Sequence, residues 1–148
     1  MWSRAKCRNW SFLGSNKMNN KILRLRISFW VGAIADAIVG IAMLCPSLVA
    51  RAYGLDNFNP GNEYKVAMGM GASLMLGWAV LLLWADRKPL KRKGILLITI
   101  FPAIAGLMAT GVYAVNSGFI AFEQMLPTWI FQLGLIGLFL FSYFKAGK

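Results

Sequence analysis

The chain of 148 residues has no histidine, two cysteines and five acidic residues. Without histidine there is no imidazole general base and no usual haem or di-iron site. Two cysteines do not make a disulfide scaffold. They form no C-x-x-C pair, which argues against a quinone-linked thiol oxidoreductase of the four-helix type. A phosphate-cradling Gly-rich loop ending in Lys-Ser or Lys-Thr is absent. The acids are scattered, with Glu123 standing alone, so no carboxylate pair for acid–base work is evident. These gaps make an enzyme the least favoured class and leave no cofactor to expect. Charge is scarce too, at 14% of residues against about 25% in soluble domains. What fills the space is apolar: 58% of residues are hydrophobic and mean hydropathy is +0.58. A soluble domain this small cannot bury so much apolar surface, and disorder is excluded by the same composition.

A membrane-crossing helix needs about 20 mainly apolar residues. Four stretches qualify: 27–50, 66–85, 94–115 and 125–144. Asp36 is the only charge within them, and Gln132 is the strongly polar residue of the fourth. Short connections make neighbouring helices antiparallel. The expected fold is therefore an all-α membrane protein, an up-down bundle of four transmembrane helices forming one domain over 27–148. Residues 1–26 form a basic tail. A cleaved signal peptide fits the first stretch poorly, because a signal core runs about 7–15 residues and this one is longer and carries Asp36. Met18-Asn19-Asn20-Lys21 also reads as an ordinary start. Residues 1–17, which lack apolar periodicity, are then either an untranslated extension or a flexible tail.

The formal net charge of +11 invites a nucleic-acid partner, but its distribution argues otherwise. Arg4, Lys6, Arg8, Lys17, Lys21, Arg24 and Arg26 precede the first span. Arg87, Lys88, Lys91, Arg92 and Lys93 lie between the second and third, and Lys145 and Lys148 follow the fourth. Arg51 and Lys65 alone fall on the other face. This bias places both termini in the cytoplasm, in the cytoplasmic (inner) membrane of a bacterium. Trp30, Trp84 and Tyr143 fall at the inner boundary, and Tyr53, Tyr64, Tyr113 and Trp129 near the outer one, as interfacial aromatics do. The inner loop, with Arg87, Lys88, Lys91, Arg92 and Lys93, suits anionic lipid headgroups at about 1 kcal/mol per basic residue. In the outer loop, Asn59-Pro60-Gly61-Asn62 marks a turn, and Tyr53, Leu55 and Phe58 can rest on the interface. That loop is a connector or a lid over an outer vestibule.

Asp36 is the most informative residue. It lies near the middle of its span, where a carboxylate costs about 2.5–3.5 kcal/mol on insertion scales. No Lys, Arg or His lies inside another span to pair with it. It is therefore either protonated glue between helices or a site for a proton, cation or substrate. Ser73 and Gln132 match it in depth, each 12 residues from the inner end of its span, or about 18 Å. Asp36, Ser73 and Gln132 thus form a candidate polar layer. Gly32, Asp36 and Gly40 share one face of the first span. Gly69, Ser73 and Gly77 share one face of the second. Such small-residue faces let helices approach closely. The two spans are expected to meet along them, with one face alternatively the seam of a homodimer. Pro102, with Gly106 and Thr110 on its face, predicts a kink in the third span. The eight methionines carry no role at this level.

Pro46-Ser47-Leu48 followed by Tyr53-Gly54-Leu55, the glycine-rich Met68-Gly69-Met70-Gly71, and Trp84-Ala85-Asp86-Arg87-Lys88-Pro89 together resemble small bacterial four-helix membrane proteins of the DoxX-like, domain-of-unknown-function type. The likeness covers 27–99 and implies the four-span fold but no activity. The chain is also similar in architecture to small multidrug-resistance exporters, which have four spans and an essential acid in the first, a place Asp36 would take. It departs from them in its longer basic tail and in a charge bias that fixes one orientation. Two functional expectations follow: a non-enzymatic structural or interaction protein, or a small proton- or cation-coupled transporter using Asp36.

Overall fold

The computed structural model describes the backbone of residues 3–55 and 59–147, with side chains from residue 19 onward. Phe58, Lys148 and the side chains of Arg4, Lys6, Cys7, Arg8 and Lys17 lie outside the described residues. The described chain is helical, with no strand. Helix α1 spans Ser3–Leu44, α2 Pro46–Ala52, α3 Asn62–Asp86, α4 Gly94–Ile98, α5 Ala105–Asn116 and α6 Phe122–Gly147. A π-helical segment, Thr99–Ile104, joins α4 to α5 in one continuous rod. Four helical stretches are long and apolar enough to cross a membrane: Asn19–Leu44, Asn62–Asp86, Gly94–Asn116 and Phe122–Ala146.

Proline sets two of the departures from the expected spans. The first span was expected to reach residue 50, but its helix stops at Leu44 and a short new helix starts at Pro46. Proline has no N–H to continue the ladder and biases the preceding residue away from the α region. In the third span, Pro102 sits inside the π segment. The widened turn absorbs the missing hydrogen bond locally, as π-bulges do. Glycine ends α5. Gly118 takes φ +71°, while the N–H of Phe119 reaches back to the carbonyl of Ala114 at 3.1 Å. This is a Schellman closure, which needs a residue free to adopt left-handed φ.

Helix α1 packs most extensively on α3 and next on α6. A Cβ on Gly32 would meet Leu82 and Phe139, and one on Gly40 would meet Leu76 and the carbonyl of Ala72. Partners on α3 thus fall in number as α1 rises, so the two helices run antiparallel. The same holds for α1 and α6, where Ser28 meets Ser142 and Gly32 meets Phe139. The core is built from Leu25, Phe29 and Ala33 of α1, Ala79, Leu82 and Ala85 of α3, Leu96, Ile104 and Phe139. It fills the half of the bundle nearest the 87–93 loop, here the basic end.

That half is also where polar side chains find partners. Ser28 Oγ and Ser142 Oγ are 2.6 Å apart and fully enclosed. The Trp78 indole N–H donates to Thr99 Oγ1 at 3.1 Å, and Thr99 donates to the carbonyl of Ile95 at 2.9 Å. At the rim, Arg26 Nε and Asp86 Oδ1 form a 3.2 Å ion pair between α1 and α3 without hydrogen-bond alignment. Arg92 lies over the Trp84 ring and donates to the Trp84 carbonyl at 2.6 Å, which satisfies an open carbonyl of the last turn of α3.

The small-residue faces behave differently from each other. The α1 face, Gly32 and Gly40, is the packing face. The α3 face turns outward instead: a Cβ on Gly69 or Gly77 would meet nothing within 4 Å, and Ser73 is exposed with its hydroxyl donating to its own Met70 carbonyl. Helix α3 meets α1 through Ala72, Leu76, Ala79 and Leu82, a neighbouring stripe that is larger and more apolar. Alanine is small enough for close approach, and leucine adds contact area that serine cannot.

Replacing Gly32 with Ala places a methyl 2.8 Å from Phe139 Cζ, and Phe139 is fully buried. Gly32→Ala should therefore lower stability by about 1–3 kcal/mol, the usual cost of overpacking. Gly69→Ala and Gly77→Ala should leave the unfolding midpoint unchanged. Thermal unfolding of the purified protein in detergent compares the three directly.

Candidate functional site

The other half of the bundle is hollow. A cavity of about 870 Å³ opens between α1, α3, α5 and α6 at the end away from the basic loop. Such a volume lies within the range of small-molecule sites, about 300–1,000 Å³. Its walls are mainly apolar, with Val39, Met43, Met68, Leu107 and Met125 among them. Three of those five are methionines, flexible side chains common at adaptable binding surfaces. Two polar groups on the wall are already engaged: Thr110 donates to the carbonyl of Gly106 and Ser117 to that of Ala114.

Helix α2 and the residues just after it roof this cavity. Leu48, Val49 and Ala52 of α2, with Tyr53 and Leu55 beyond it, all line the space. Gly54 between them holds φ +66°, and a Cβ there would collide with the Gln124 carboxamide near the start of α6. Close approach and left-handed φ both demand glycine at this point. The segment thus lies over the mouth, the placement the lid reading requires.

Gln132 sits at the floor, and Asp36 lies beneath it, outside the lining. Gln132 lines the cavity, is 8% exposed, and has its Oε1 buried without a hydrogen-bond partner. Asp36 is half-buried on the packed face of α1, with its Oδ2 likewise buried and unpartnered. Val39 and Met43, three and seven residues on, put Asp36 on the cavity-lining face, one turn below the floor. The α1–α6 register set by Ser28–Ser142 and Gly32–Phe139 brings Gln132 level with Val39. Asp36 and Gln132 are therefore offset by three residues, about 4.5 Å along the axis. Trp129, one turn from Gln132, is a further orphan: its buried indole N–H has no acceptor and faces Gly111 of α5.

Of the three residues expected to form a polar layer, Gln132 lines the cavity floor, Asp36 lies about one turn deeper on α1 and outside the lining, and Ser73 lies on the outside of α3. Three contributors escaped sequence reasoning. The first is the lining role of Met43, Met68 and Met125, whose only signal was helical spacing from Asp36 in the case of Met43. The second is α2, because Pro46 was not given its weight as a helix start. The third is Trp129, which composition placed at the interface. In the 87–93 loop Arg92 and Lys93 lie over the rings of Trp84 and Tyr143, whereas Arg87, Lys88 and Lys91 are exposed.

Comparison with family models, with curated proteins and with solved structures found no match to this chain.

An unpartnered polar group in a buried position costs about 1–3 kcal/mol, and an apolar replacement of like shape recovers it. Gln132→Leu should therefore raise the stability of the ligand-free protein by that order. Thr99→Val, which removes a partnered hydroxyl, should lower it by about 1 kcal/mol. Parallel thermal melts decide the sign for each.

Proposed function

We propose that the chain is a multi-pass protein of the cytoplasmic membrane, with its termini inside, that binds a small amphipathic molecule from the outer side without chemical conversion. The observation that carries this reading is the cavity itself: about 870 Å³, apolar-walled, lined by α2 on one side and by the orphaned Gln132 on the other. Native structures retain such orphans where function needs them. The basic end suits the cytoplasmic leaflet by its charge. Arg87, Lys88 and Lys91, unlike the ring-bound Arg92 and Lys93, are then the cations that meet anionic headgroups.

A proton- or cation-coupled transporter is the second reading. It is favoured by Asp36 beyond the closed end of the cavity and by the π segment at Pro102, a place where the third span can bend. Passage would require the Leu25–Phe29–Leu82–Phe139 plug below Asp36 to part. Neutral Asp36→Asn separates the readings: a binding protein keeps its fold and its affinity, and a transporter keeps its fold and loses coupled flux in proteoliposomes.

Sidedness is tested with Cys7→Ser/Cys45→Ser/Thr128→Cys. A membrane-impermeant maleimide added to intact cells should label residue 128, which lines the cavity. No labelling from outside, with labelling after the membrane is opened, would reverse the orientation. Lys88→Gln/Lys91→Gln should weaken the preference of the purified protein for vesicles containing anionic lipid while leaving its melting unchanged. Arg92→Gln should lower the melting point, since it removes the contact to Trp84.

A further inference from the structure

The wall of the cavity carries no charge. Among the described residues that line it there is no lysine, arginine, aspartate or glutamate. Arg51, Glu63, Lys65 and Glu123 are each next in sequence to a lining residue (Ala52, Tyr64 or Gln124), yet all four are exposed and none lines the space. The polar group at the floor is neutral as well. Gln132 is 8% exposed, and its Oε1 is buried without a hydrogen-bond partner. The last torsion of a glutamine side chain is soft, so that oxygen is free to turn towards an arriving donor. Resting on the reading of the cavity as a binding site, we propose that its ligand is an uncharged amphiphile, an apolar body ending in a hydroxyl or amide head that donates an O–H or N–H to Gln132.

The same wall disfavours the alternatives. A charge brought into an apolar space costs far more than a neutral polar group unless a counter-charge meets it, and the described lining holds none. Carboxylate, phosphate and ammonium heads are therefore poor occupants. An ether or ester head is neutral but brings only acceptors, so Oε1 stays unpaired. A hydroxyl or amide N–H satisfies it with one bond and no charge, which recovers the cost of the orphan. Thr110 and Ser117 do not compete for the head, since each donates to a carbonyl of its own helix. Gln124 and Gln132, about 12 Å apart along α6, bracket the lining residues of that helix. Over that depth the methionine-lined wall takes an aliphatic body of variable shape.

The test uses the full chain as Cys7→Ser/Cys45→Ser/Thr128→Cys in nanodiscs at pH 7, with the rate of maleimide labelling at residue 128 as readout. No labelling without additive would overturn the reading of the cavity as an open site, and the proposal with it. That failure appears before any probe is added, so it is distinct from failure of the ligand class. Decanol and decanamide should each slow labelling at least tenfold. Decyl methyl ether, neutral but without a donor, and decylamine, a donor that carries charge, should each slow it less than twofold. Adding Gln132→Leu should bring decanol and decanamide down to the level of the ether. Equal protection by decanol and the ether would overturn the proposal, because the cavity would then be reading the alkyl chain alone. Protection by decylamine equal to or stronger than that by decanol would overturn it too, since charge would be no bar. Undiminished protection by decanol in the Gln132→Leu protein would overturn the assignment of the head to Gln132. If that variant does not fold, the ranking of the four probes on the parent decides the matter alone.

Discussion

Inside a hydrocarbon layer no water is at hand to satisfy a polar side chain, so each must find a partner within the protein or carry the cost of having none. The bundle divides along that constraint. Towards the basic end Ser28 is matched with Ser142, and Trp78 with Thr99, inside a tight core around Phe29, Leu82 and Phe139. Towards the other end the helices part, and Asp36 and Gln132 are each left with a buried oxygen that has no hydrogen-bond partner. A carboxylate at such depth costs about 2.5–3.5 kcal/mol on insertion scales. Neighbouring helices could have silenced it with a serine or threonine, as they do for Ser28. They have not, and the cavity lies directly above.

The two halves support each other mechanically. Gly32 lets Phe139 and Leu82 press against α1, and Gly40 lets Leu76 do so one layer higher. This seam holds α1, α3 and α6 together at one end, while Met43, Met68 and Met125 line the cavity at the other. Pro46 then turns the chain out of α1 into α2 just where a roof is needed, and Gly54 lets that roof sit down on Gln124. The third span joins the wall through α5 and the plug through Leu96 and Ile104, with the π segment between them.

Much of the fold was legible because membrane insertion imposes long apolar runs, and those runs name the four helices without reference to tertiary contacts. Asp36 was legible for the same reason: a charge in such a run stands out. Ser73 was misplaced, because a small-residue stripe specifies that close approach is possible and not which neighbour exploits it. Both stripes have the same spacing, yet only the α1 stripe meets other helices. Alanine and leucine at 72, 76, 79 and 82 gave α3 a better face than Gly69, Ser73 and Gly77 did. The cavity was not legible, since it depends on how far helices diverge, and that follows from the packed volumes of side chains on three partners at once. The end of the first span at Leu44 was within reach of the sequence, because Pro46 lies in plain view.

The central claim is that the bundle is sealed up to the level of Asp36 and open beyond it. A cysteine scan along the core-facing stripe of α1, in a Cys7→Ser/Cys45→Ser background, measures this directly. Cysteines at Phe29, Ala33, Val39 and Met43 would be exposed in turn to a water-soluble thiol reagent, with reaction rates read by mass spectrometry. The account predicts a step: fast modification at 39 and 43, and none at 29 and 33 on the same timescale. Uniform protection at all four positions, or modification running smoothly down to 29, would contradict it.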